Sequence, residues 1–303
     1  MLVRDSGPPG KTYALAWTFK ELSARGMLAD LHVVTDATAR LDSGFLRELL
    51  PYWRRGESII VGHSVVDLSN QRWFAQCLGL TLVHRNLQNE VRERLGLSAL
   101  IEGRGMAYHR DYIHRHGWSL AAPDSDEAGT HPTEDWRHGV RVVENGYRVS
   151  FAHEARVVTP LRDSLTAATQ QGARWERGRM ANAGTHALRL LRLGLLERNR
   201  LKIFAALDAL QPPAAILAGF CVAVAALSFL LPSGSPIFAP SFLPLLMVAV
   251  YSLLVVAQGR REGIRLATLA WAPVYVLWRG LSFLLAWTFF DRLKFARHEK
   301  HEK

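Results

Sequence analysis

An α/β sheet domain followed by membrane helices is the architecture that this 303-residue sequence predicts. Short strand-type runs alternate with stretches of helical spacing over residues 11–160, as in a sheet covered by helices. Residues 214–231 (AAILAGFCVAVAALSFLL) are apolar without a break, about the length of one bilayer crossing. Two more apolar runs follow at 242–257 and 266–290, so two or three transmembrane helices are expected.

The elements follow in order. After a Gly-Pro-Pro-Gly punctuation, apolar residues at 14, 15, 17, 19 and 22 predict a helix over 11–25. LHVVT (31–35) reads as a strand ending in Asp36-Ala37-Thr38, and SIIVG (58–62) reads as another. QNEVRERLGL (88–97) reads as helix and precedes the glycine-rich EGRGM (102–106). Thr133 is suited to cap a helix that runs to about Asn145, with Gly146 ending it. YRVSF (147–151) and ARVVT (155–159) supply two more strands. HALRLLRLGLLERNR (186–200) interleaves arginine with leucine and suits a membrane interface better than open water.

Composition narrows the class. Hydrophobic residues make up 49% of the chain, concentrated after residue 212, and the net charge is +10. With apolar spans present, that charge is accounted for by a basic face near anionic lipid, so nucleic acid is not an expected partner. The loop at 232–240 carries no charge while 258–265 carries Arg260, Arg261 and Arg265, which places the latter, and by alternation the large N-terminal part, on the cytoplasmic side. Pro273 and Arg279 interrupt the third run, leaving open a tilted span or a segment that re-enters on the same side. Cys77 and Cys221 form no disulfide or metal pattern.

Three groups of residues could carry chemistry. Asp36 stands at the carboxyl end of a strand, where it could hold a divalent cation on a diphosphate or simply satisfy its own turn. Glu134 and Asp135 open a helix, where the dipole alone favours acids and where a carboxylate could also act as a general base. Gln171, Arg174 and Trp175 combine an amide, a guanidinium fork and a flat ring, suited to phosphate and sugar or to anchoring an interfacial helix.

The succession of a strand with Asp-Ala-Thr, EGRGM, TED (133–135), QGARW (171–175) and membrane helices resembles the membrane-bound, inverting family-two glycosyltransferases. That group includes the cellulose, chitin, hyaluronan and poly-N-acetylglucosamine synthases. The resemblance implies a GT-A (Rossmann-like) domain over 1–165, a QxxRW segment with interfacial helices over 166–212, a transmembrane region over 213–290 and a basic cytoplasmic tail over 291–303. It also implies an integral protein of a bacterial-type cell membrane with a cytoplasmic catalytic domain.

By the same resemblance Asp135, with Glu134 beside it, is the catalytic base. Lys11, Asp36 and Arg174 hold the donor diphosphate, and Asp36 carries Mg²⁺ or Mn²⁺. Gly103, Gly105, Gln171 and Trp175 border the acceptor. The implied donor is a nucleotide sugar of the uridine diphosphate kind and the acceptor a glycan or lipid, with partner membrane subunits open. Two departures stand out. Thr38 occupies the place of the second acid of the family's Asp-x-Asp, and the family's first strands precede the point where this sequence begins. An incomplete GT-A domain with little activity of its own is therefore expected, and a non-catalytic saccharide- or partner-binding component is the alternative.

Overall fold

The computed structural model describes residues 2–7, 10–67, 72–118, 134–160, 164–211, 214–230 and 240–281. The chain divides into two compact units, the first made of 1–67, 85–160 and 178–210 and the second of 68–84, 161–177 and 211–303.

The first unit is built on a five-stranded mixed sheet. Its strands are β1 (Leu31–Val34), β2 (Arg40–Leu41), β3 (Ile59–Val66), β4 (Met106–His109) and β5 (Val149–Thr159), arranged in the order β1-β4-β3-β5-β2. β3 and β5 run parallel, and the other neighbours are antiparallel. Alternation in β3 sends Ile59 and Val61 to one face and Ile60 to the other. Ile59 and Val61 belong to one buried cluster with Phe19 of α1 (Lys11–Ala24), Tyr112 and Ile113 of α4 (Arg110–His116) and Val142 of α5 (Glu134–Glu144). Ile60 packs with Phe45 and Leu49 of α2 (Phe45–Arg54). The expected α/β class is therefore observed, with helices on both faces of the sheet.

Several boundaries differ from the sequence reading. The helix expected at 88–97 is the tail of α3 (Trp73–Arg94), which starts fifteen residues earlier and stops at Arg94. The two strands expected at 147–151 and 155–159 are one strand, β5. Gly62 pairs with Ala152 and His63 with Arg156, so His153, Glu154 and the buried Ala155 between them form a bulge without ending the pairing. The helix expected at 186–200 belongs to α6 (Leu165–Leu196) and is cut from α7 (Arg200–Leu210) by Arg198, which has φ 49°.

Within the first unit, the last part of α6 and α7 pack on α5 through Val140, Val143, Leu190 and Ala206. The buried Glu144 of α5 pairs with Arg189 at 3.5 Å, and Trp136 meets the His186 ring edge-on at 5.7 Å. Arg92 of α3 pairs with Asp208 of α7 at 2.6 Å. The α6–α7 hairpin thus clamps the helix that begins with Glu134 and Asp135.

The second unit contains α8 (Ala214–Ser228) and α9 (Leu243–Arg261). Among the described residues one helix, Pro240–Arg261, is long and apolar enough to cross a membrane; α8 is apolar but has only 15 residues. The third apolar run forms a 3₁₀ segment at Leu266–Trp271 and a helix over 272–281, beyond which it leaves the described residues. Within this unit Trp73 stacks on Trp271 at 5.5 Å, and Trp278 donates its indole N–H to the Thr169 hydroxyl at 2.8 Å.

Candidate active site

The position of Asp36 follows from strand register. β1 and β4 are antiparallel with Val34 opposite Met106, so the residues that leave the end of β1 face those that enter β4. Thr35 Oγ1 accepts the Gly105 N–H at 3.3 Å, and the Gly105 carbonyl accepts the Gly62 N–H at 2.9 Å. The EGRGM loop is thereby fixed beside Asp36. Two helix starts complete the cluster, Lys11 opening α1 and Asp135 lying in the first turn of α5.

Lys11 joins these segments. Its ammonium donates to Asp36 Oδ1 at 2.8 Å, to the Gly103 carbonyl at 3.1 Å and to Asp135 Oδ1 at 3.3 Å. A lysine in the first turn opposes the helix dipole, so the neighbouring carboxylates offset a placement that is locally unfavourable. Burial works against the Lys11 ammonium, but Asp135 and Asp36 outweigh it and raise its pKa. Burial raises the pKa of Asp135, with Asp36 adding to the effect and Lys11 and Arg104 opposing it. Glu134 is raised as well, by burial and then by Asp135. The site accordingly combines a carboxyl of elevated pKa with a fixed cation, the pairing a proton acceptor beside an anionic leaving group requires.

Gly103 is required by geometry. Its φ is +82°, and a Cβ there would lie 2.1 Å from Asp135 Oδ2. Gly103→Ala is expected to displace that carboxylate, and a shift of about 1 Å would lower any turnover that depends on it about a hundredfold. Steady-state rates set beside circular dichroism of the same variant check this. Gly105, at φ +57°, has its absent Cβ directed at Val157 Cγ2, 2.2 Å away, so packing alone demands glycine there.

The same loop carries a charge network that motif reading left out. Glu102, between α3 and the loop, accepts from Arg85 at 2.9 Å and from Arg104 at 3.1 Å, and Arg104 also donates to Ser64 Oγ at 3.3 Å. Burial pushes the Glu102 carboxyl up, but the two guanidinium groups more than reverse it and its pKa is lowered. The signal available in the sequence was the acid and the arginine flanking Gly103.

The expected Mg²⁺ or Mn²⁺ at Asp36 does not fit the residues present. Asp36 Oδ1 and Asp135 Oδ1 both face the Lys11 ammonium, the exposed Thr38 offers no charge, and Asp42 accepts the Ser43 N–H at 2.8 Å. Among the described residues no group of three or more His, Cys, Asp or Glu side chains is placed to hold a metal ion.

Of the residues singled out in the sequence, Lys11, Asp36, Gly103 and Asp135 come together, with Glu134 adjacent to Asp135. Thr133 lies outside the described residues. Gln171, Arg174 and Trp175 lie on α6 within the second unit, and their side chains lie outside the described residues.

A family model described as "Glycosyltransferase like family 2" matches residues 1–178, more than half of the chain. No curated protein matches the sequence.

Proposed function

The chain belongs to the glycosyltransferase-like family 2, and from that premise we propose that it transfers a sugar, with inversion, from a nucleotide sugar to a polysaccharide or lipid-linked acceptor. The observation that carries this reading is the convergence of Asp36, Lys11, the Gly103 carbonyl and Asp135 in one cluster. Asp135 accepts the proton of the attacking acceptor hydroxyl. The oxygen so freed bonds to the anomeric carbon from the face opposite the leaving group, and the nucleoside diphosphate departs with the bonding electrons.

Arg174 binds diphosphate in this reading, and Gln171 and Trp175 hold the acceptor sugar, the indole stacking on its apolar face. Uridine diphosphate is the proposed carrier. The apolar helix at Pro240–Arg261 supports a membrane location, and Arg260 and Arg261 in its last turn with Arg265 just beyond support a cytoplasmic catalytic unit. The acceptor is then a growing glycan or a membrane lipid, with partner membrane subunits part of the same reading.

Membranes containing the protein, offered a panel of nucleotide sugars, are expected to convert one of them into a glycosylated product seen by mass spectrometry, with the anomeric configuration reversed by NMR. Donor binding without product would support the non-catalytic component instead. Absence of both would overturn the proposal.

A further inference from the structure

We infer that Lys11 is the resident cation of this site, supplying at the donor diphosphate the positive charge that a divalent metal would otherwise bring. The inference rests on the glycosyl-transfer reading above and deepens it. An ammonium has three N–H donors and no acceptor. All of them are engaged at rest, on Asp36 Oδ1 at 2.8 Å, on the Gly103 carbonyl at 3.1 Å and on Asp135 Oδ1 at 3.3 Å. The cation is therefore already in the space between the two carboxylates, where a metal would have to displace it.

The second acid that would help a metal compete is Thr38, and Asp42 is turned into its own backbone. Lys11 and Asp135 side chains are 27% and 26% exposed and Asp36 is 43% exposed, so an anion can reach the ammonium from solvent.

Saturation of the three donors has a mechanistic consequence. A diphosphate oxygen can bind Lys11 only by replacing one resting acceptor, and the longest of the contacts is the one to Asp135. Donor binding then shifts the ammonium from the base to the leaving group. Asp135 is released to take the acceptor proton when, and only when, the diphosphate is in place. During transfer the acceptor oxygen bonds to the anomeric carbon, its proton passes to Asp135, and the bond from that carbon to the diphosphate oxygen breaks with both electrons going to phosphate. Lys11 stays protonated throughout and neutralises part of the departing charge.

Calorimetric titration of the detergent-solubilised chain with UDP, GDP and inorganic pyrophosphate tests this, run once in EDTA and once with Mn²⁺. The expected result is equal affinity in the two buffers, a loss of about ten- to a hundredfold in Lys11→Met, as for a charged hydrogen bond removed, and retention of most affinity in Lys11→Arg. Circular dichroism of both variants checks folding, and the arginine variant keeps the test valid if methionine perturbs α1. Binding that needs Mn²⁺, or that survives in Lys11→Met while Asp36→Asn abolishes it, overturns the inference and leaves the transferase reading standing. Failure of all the probes to bind in either buffer overturns both.

Discussion

Asp135→Asn is expected to lower sugar transfer by about a thousandfold, the scale of a general base, while leaving the fold intact. The amide has nearly the shape of the carboxylate and can still meet the Lys11 ammonium through its oxygen, which now stands 3.3 Å from Asp135 Oδ1. What it cannot do is accept the acceptor proton. The pH profile supplies a second readout. Because burial raises the Asp135 pKa, the wild-type rate should fall on acidification at a pH above the ordinary aspartate range, as the carboxylate becomes protonated. That limb should be missing from the residual activity of the asparagine variant. A variant retaining near-normal turnover would remove Asp135 from the role of base.

Glu102→Leu is expected to destabilise the first unit by an amount large for a single polar position. Glu102 is 15% exposed and neutralises Arg104, whose side chain is 9% exposed, together with the more open Arg85 at 37%. Removing one member of a buried ion pair costs about 3–5 kcal/mol, and the solvent reaching Arg85 reduces this to about 2–3 kcal/mol here. A fall in thermal midpoint of about 5–10 °C follows for a unit of this size.

The stabilisation is itself pH-dependent. The folded-state pKa of Glu102 is depressed, so its contribution is full above the ordinary glutamate value and is lost as the pH falls through the lower folded value. Thermal melts of wild type and Glu102→Leu should therefore converge on strong acidification, and a constant difference down to that range would contradict the account.

How much of this was legible in the sequence varies with the range of the interactions. The helix starting at Lys11 and the strand before Asp36 are local patterns, and both stand where the sequence put them. The α5 helix closes at Gly146, whose φ of 83° suits the glycine that spacing had assigned to its end. Asp36 and Asp135 were candidates because of motif order, yet their common contact with Lys11 depends on the Val34–Met106 register and on where α5 docks, and neither is local.

Periodicity misread β5 as two strands because His153 and Glu154 break the apolar alternation, whereas the backbone tolerates them as a bulge. α2 went unread because Pro51 lies inside it. The burial of Glu102 could not be seen from its type, since acids are ordinarily exposed; Arg104 of its own loop and the Arg85 brought to it from α3 together make the position tenable.

The clamp on α5 makes that helix a lever. It carries Asp135, the proposed base, on its first turn and is gripped along its length and at its far end by Val140, Val143 and Glu144. Eleven residues give an arm of about 15 Å, so a tilt of roughly 4° swings the carboxylate by about 1 Å. Trimming Leu190, which is fully buried against that helix, would therefore be expected to register as lost turnover as well as lost stability.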